Sequence, residues 1–178
     1  MSPLILHHYP PSPVAEKVRK ALGLKQLAWR SVEQPRIPPR PLLFPMNGGY
    51  RRVPVLQIGA DLYCDSLMIL TELESRYPEP SLFPQGQAAV HLGLCRWFDS
   101  QLFPLAVRMA MVPALDTVPV ELARDRARLY LGPDGDFAAE RGRMPHVLAQ
   151  MRIALGWVEQ LLAERGDGGL LAGAPGLA

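Results

Sequence analysis

Apolar positions change their period along the chain, and the change divides it in two. Leu4 to His8 is a short β-tolerant run that predicts a first strand, ended by Tyr9-Pro10-Pro11-Ser12-Pro13. From Val14 to Leu24, Val14, Val18, Ala21 and Leu22 recur at helical spacing, with Glu16, Lys17, Arg19 and Lys20 off that face. Leu27 to Val32 alternates weakly and predicts a second strand. Gln34 to Gly49 holds Pro35, Pro38, Pro39, Pro41 and Pro45, a density that excludes a long helix. Its apolar members Ile37, Leu42, Leu43, Phe44 and Met46 predict a segment that packs and is not a free linker.

Arg52 to Ile58 predicts a strand that turns through Gly59-Ala60-Asp61 into another, Leu62 to Cys64, an antiparallel hairpin. Asp65-Ser66 then opens a helix from about Leu67 to Tyr77, with Met68, Ile69, Glu72, Leu73 and Arg76 at helical spacing. The proline-rich stretch from Tyr77 to Pro84 is a linker. Beyond it every pattern is helical: Gln87 to Val112, bent at Pro104, then Val120 to Leu131 and Pro145 to Arg165. The expected architecture is a βαβ-ββα domain over residues 1–80 and an all-helical one over 86–178.

Composition narrows the partners. Lys plus Arg number 19 against 17 Asp plus Glu, a net charge of +2, and the arginines form no run, so a nucleic-acid partner is not indicated. No uninterrupted apolar stretch reaches the about 18 residues of a membrane-spanning helix. The opening residues lack the basic region and long apolar core of a signal peptide, so a cytoplasmic setting is expected. Cys64 and Cys95 have no metal-ligand spacing and read as small hydrophobes. His7 and His8, adjacent on a strand, point to opposite faces and cannot share an ion. No metal is expected.

Three short features each admit two readings. Ser12 before Pro13 is a natural N-cap, but a helix opening with a hydroxyl also stabilises an anionic sulfur. Its hydroxyl is too weak an acid to be a free alkoxide, so its chemistry there is to donate to a bound thiolate. Pro54 fits an edge strand, or a cis bond that turns the backbone of Val53 outward to bind something. Asp65-Ser66 fits ordinary capping, or a helix start on which a ligand carboxylate docks.

Their order along the chain resembles the cytosolic glutathione transferase superfamily, in its serine- or cysteine-type bacterial form, over the whole length. The carrying segments are Tyr9-Pro-Pro-Ser12-Pro13-Val-Ala-Glu-Lys17-Val-Arg19, Arg52-Val53-Pro54-Val55-Leu56 and Asp65-Ser66-Leu-Met-Ile69. The resemblance implies a thioredoxin-like N-terminal domain with a mixed sheet and a cis Pro54, then an all-α domain, in a homodimer. It implies that the Val53 backbone pairs with the cysteinyl part of glutathione, that Asp65 holds the γ-glutamyl ammonium and that Ser66 holds its carboxylate. Ser12 falls on the sulfur-contacting position, with Tyr9 as competitor.

The implied activity is a glutathione transferase that conjugates the glutathione thiolate to a hydrophobic electrophile, in detoxification. A glutathione-dependent isomerase or dehalogenase, and a non-catalytic interaction protein of the same fold, are the alternatives. The electrophile is expected between the domains, with Arg96, Trp97, Gln101 and Met109 as candidates. The chain departs from the family in two places. Gln34–Gly49 replaces the helix that faces the glycine end of glutathione, so Arg51 or Arg52 is the candidate there. Residues 170–178 resemble the loop before the family's buried central helix, so the helical domain is expected to be incomplete.

Overall fold

The computed structural model describes residues 2–83 and 86–165. The first unit runs β1 (Leu4–His8), α1 (Pro13–Leu24), β2 (Trp29–Glu33), β3 (Val55–Ile58), β4 (Asp61–Cys64) and α2 (Ser66–Arg76). Its sheet has the order β2-β1-β3-β4. β1 and β2 are parallel, and β3 is antiparallel to both β1 and β4. This is the expected thioredoxin-like arrangement.

The pleat assigns each face. Leu4, Leu6 and His8 point to the side where α1 and α2 pack together, and Leu6, Leu56, Ala15, Val18, Leu22, Ile69, Leu70 and Leu73 are buried. Ile5, His7, Val55 and Gln57 point to the other side. There Leu43, from the proline-rich segment, is fully buried in a cluster with Val53 and Val55 that Tyr9, Tyr50, Leu62 and Cys64 join. Residues 34–50 therefore pack as predicted, through turns and no regular helix.

Several boundaries differ from the sequence pattern for local reasons. β2 starts at Trp29 because the Leu27 amide instead closes the end of α1 on the Leu22 carbonyl at 2.9 Å. The buried face of α1 takes Ala15, with Val14 only half-buried; that of α2 takes Leu70, with Met68 exposed. β3 starts at Val55, not Arg52: the Val53–Pro54 bond is cis and proline brings no N–H to a ladder.

The chain divides into two compact units near Ala88. The second holds α3 (Ala88–Trp97), a π-helical turn (Phe98–Leu102), α4 (Phe103–Met111), α5 (Val120–Tyr130), a 3₁₀ turn (Arg141–Arg143) and α6 (Met144–Arg165). No strand occurs in it among the described residues. The break expected at Pro104 lies one turn upstream. Pro104 has no N–H for the Ser100 carbonyl, and the Phe103 amide reaches back five residues to Phe98, widening the turn. The expected loop over residues 170–178 lies outside the described residues. Among these, no helix is long and apolar enough to cross a membrane.

Candidate functional site

Strand directions decide what meets. β1, β2 and β4 run the same way and β3 runs against them. The carboxyl ends of β1, β2 and β4 and the amino end of β3 therefore share one end of the sheet. That end carries Tyr9–Ser12, Gln34, Val53–Pro54 and Asp65–Ser66. α1 and α2 both start there and pack side by side, so their amino-terminal N–H groups face the same region.

Ser12 is the N-cap of α1: its Oγ accepts the Ala15 amide at 3.2 Å, and its own amide donates to the Tyr9 carbonyl at 3.1 Å. Capping uses an acceptor lone pair and leaves the hydroxyl hydrogen to donate elsewhere. The residue is only 3% exposed. Tyr9 is half-buried and its ring packs toward Val53 on the opposite sheet face. Asp65 caps α2 through Oδ1, which accepts the Leu67 amide at 2.8 Å. Its φ of +75° is a conformation that only glycine adopts freely. Ser66, the first residue of α2, is buried, whereas Asp65 is exposed.

Val53 buries its side chain and lies before the first ladder pair of β3. Arg52 is exposed. Arg51 has its carbonyl engaged by the guanidinium of Arg40. Arg40 is buried and also donates to the Pro35 carbonyl at 3.1 Å, which fixes the proline-rich segment against this end of the sheet. Sequence reasoning missed it, because nothing in a chain of prolines announces a buried guanidinium.

Tyr50 is the second missed residue. It is half-buried and its phenol is pushed up, first by burial and next by the charge of Asp65, with Arg52 pulling the other way. Tyr50, Arg52 and Asp65 are therefore neighbours. Cys64 is likewise raised by burial and then by Asp65, which keeps its thiol protonated and fits its reading as a small hydrophobe.

The two histidines diverge, as the pleat requires. His7 Nε2 pairs with Gln57 Oε1 at 3.0 Å and its Nδ1 with Gln34 Nε2 at 3.3 Å. His8 turns to the helical face, where Nε2 meets Ser31 Oγ and Nδ1 meets Arg19 Nη1, both at 2.8 Å. In the second unit, Trp97 and Met109 pack on Leu102, Met151 and Ala154, while Arg96 and Gln101 are exposed.

Residues 6–81, which contain all of these corner residues, match the family described as "Glutathione S-transferase, N-terminal domain". The first unit therefore resembles the N-terminal domain of the cytosolic glutathione transferases. It is 29% identical over 97 residues to glutathione S-transferase U4 of Arabidopsis thaliana, a match covering 53% of this chain and 43% of that one. Among solved structures, it resembles a glutathione transferase-like protein of Pseudomonas syringae at 36% identity and a TM-score of 0.68, over 99% of this chain and 54% of that one. It also resembles a glutathione S-transferase of Rhodospirillum rubrum at 27% identity and a TM-score of 0.70, over 98% and 72%. The chain thus spans about half the length of the first two relatives. The matched segment carries Ser12, Val53, cis Pro54, Asp65 and Ser66 at one end of one sheet.

Proposed function

We propose that this chain binds glutathione at that sheet end and activates its thiol for attack on a hydrophobic electrophile. One observation carries the reading: two helix openings and the Val53 segment converge at the same end of the sheet, with the strained Asp65 among them. In this reading residues 1–80 are the glutathione-binding domain, followed by a helical domain. Asp65 takes the γ-glutamyl ammonium, and Ser66 with its helix start takes the carboxylate. The Val53 backbone pairs with the cysteinyl unit, and exposed Arg52 answers the glycine carboxylate. The thiol proton is lost to solvent, Ser12 holds the resulting thiolate by a hydrogen bond from its hydroxyl, and the sulfur attacks the electrophile and expels the leaving group. The working form is a cytoplasmic homodimer.

The energetics suffice. Lowering the thiol pKa by about two units requires about 2.7 kcal/mol of preferential thiolate stabilisation. A helix opening contributes about 0.3–1 kcal/mol and a charge-assisted hydrogen bond about 1.5–3 kcal/mol.

Calorimetric titration with glutathione tests the binding, and thiolate absorbance near about 240 nm across pH tests the activation. Ser12→Ala returns the bound thiol toward its free pKa; an unchanged value removes Ser12, and the same shift from Tyr9→Phe transfers the role to Tyr9. Absence of heat at millimolar glutathione favours an interaction protein that has lost the ligand. Product analysis separates conjugation, which consumes glutathione, from isomerisation, which returns it.

A further inference from the structure

The loop that carries Ser12 contains Pro10 and Pro11, neither of which has an N–H, so beyond the Ser12 amide bond to the Tyr9 carbonyl its anchoring draws on carbonyls and on groups outside it. One guanidinium supplies the side-chain part of that anchoring. Arg19, almost two turns into α1, donates Nη2 to the Pro10 carbonyl at 2.8 Å and Nη1 to His8 Nδ1 at 2.8 Å. Its Nε donates to Glu16 Oε2 at 2.7 Å. The same side chain therefore grips the last residue of β1, the loop and the first turn of α1.

The direction of these bonds fixes the histidine. Arginine only donates, so His8 Nδ1 is the lone-pair nitrogen and Nε2 carries the hydrogen that goes to Ser31 Oγ. The fork geometry of the guanidinium is what reaches two acceptors at once, with Glu16 holding its third edge.

We propose that Arg19 is a positioning residue for the sulfur site: it locks the β1–α1 loop through Pro10 and His8, and so sets where the Ser12 hydroxyl points. This rests on the glutathione reading for its catalytic consequence. The lock itself does not. Losing it leaves the γ-glutamyl end of the ligand, held at α2, almost untouched, and loosens only the sulfur end.

The test compares wild type with Arg19→Gln and Arg19→Lys. Amide hydrogen exchange at Ser12 and Ala15, read without ligand, rises about tenfold in Arg19→Gln while the exchange of α2 is unchanged. With glutathione and 1-chloro-2,4-dinitrobenzene, kcat falls about tenfold and the glutathione KM moves less than about threefold. Arg19→Lys keeps the charge without the fork and gives an intermediate loss on both readouts, which keeps the proposal testable should the glutamine variant fold poorly. Unchanged exchange at Ser12 in either variant overturns the lock. Unchanged kcat in a wild-type background that does bind glutathione overturns its role in positioning. A wild type that binds no glutathione instead refutes the functional reading, and the exchange arm alone then decides the lock.

Discussion

Asp65 accepts the Leu67 amide at 2.8 Å while its own backbone sits at φ +75°, so the residue that opens α2 stabilises the helix and strains the chain at once. Glycine at this position would relieve about 1–3 kcal/mol of strain and give up only a few tenths of a kcal/mol as a cap. Asp65→Gly is expected to raise the melting temperature or leave it level, and to weaken glutathione binding at least about tenfold by removing the carboxylate. Thermal denaturation and calorimetry on the same preparation check both; a variant that binds glutathione as well as wild type removes Asp65 from the site.

Ser12 also serves the helix. Replacing it with alanine leaves the Ala15 amide without its side-chain acceptor, and Ser12→Ala is expected to cost about 1 kcal/mol in urea unfolding. Ser12→Asp, which keeps an acceptor at the N-cap, recovers that stability and does not recover thiolate formation.

Lys25 and Glu74 form an ion pair at 2.7 Å with the lysine side chain fully buried. Lys25 also donates to the Tyr77 and Pro80 carbonyls, and Glu74 accepts the Leu82 amide, so the pair pins the ends of α1 and α2 to the following segment. Lys25→Met leaves the carboxylate half-buried without its cation and is expected to cost about 3 kcal/mol in chemical denaturation. Burial pushes the Glu74 carboxyl up, but hydrogen bonds from Leu82, Lys25 and Ser81 outweigh it and hold it below 4.5. The contribution of the pair is therefore present above the unfolded carboxyl pKa and is lost as pH falls through the lower folded value. Wild-type stability is expected to drop in that acid window, and the Lys25→Met variant to drop less.

His8 gives a second pH signature. Its imidazole is held below 6.5, first by burial and then by Arg19, with Glu33 opposing. The unfolded chain takes up this proton at higher pH than the folded one, so stability declines as pH falls below about 6.5 and levels off past the folded value. His91, lowered by burial alone, acts with the same sign. Denaturation midpoints measured between about pH 7.5 and 5 are expected to fall less in His8→Asn, whose amide oxygen stays an acceptor and takes up no proton.

Much of the corner is legible in order along the chain because its signals are local. Ser12-Pro13 and Asp65-Ser66 announce helix openings by their own backbone chemistry, and both cap as their residue types predict. Pro54 marks a weak point in the ladder, but the apolar pattern carries the predicted strand back to Arg52, whereas it starts at Val55. Arg40, Tyr50 and the Arg19–His8 contact carry no such mark. Each depends on a partner that lies distant along the chain or on a turn of backbone that periodicity does not describe. The same holds for Ala15 and Leu70: the width of the apolar stripe is readable, but its edge is set by what packs against it.

The sequence by itself determined the local choices: where strands give way to helices, which residues cap, and where proline forbids a ladder or a helix. Those follow from torsional limits and hydrogen-bond capacity within a few residues. Only the tertiary structure decided which of these features meet. Strand direction brought four separate segments to one end of one sheet, and hydrogen bonds from Arg40 and Arg19 to backbone carbonyls fix two of them. Both are properties of neighbours in space, which spacing along a chain does not encode.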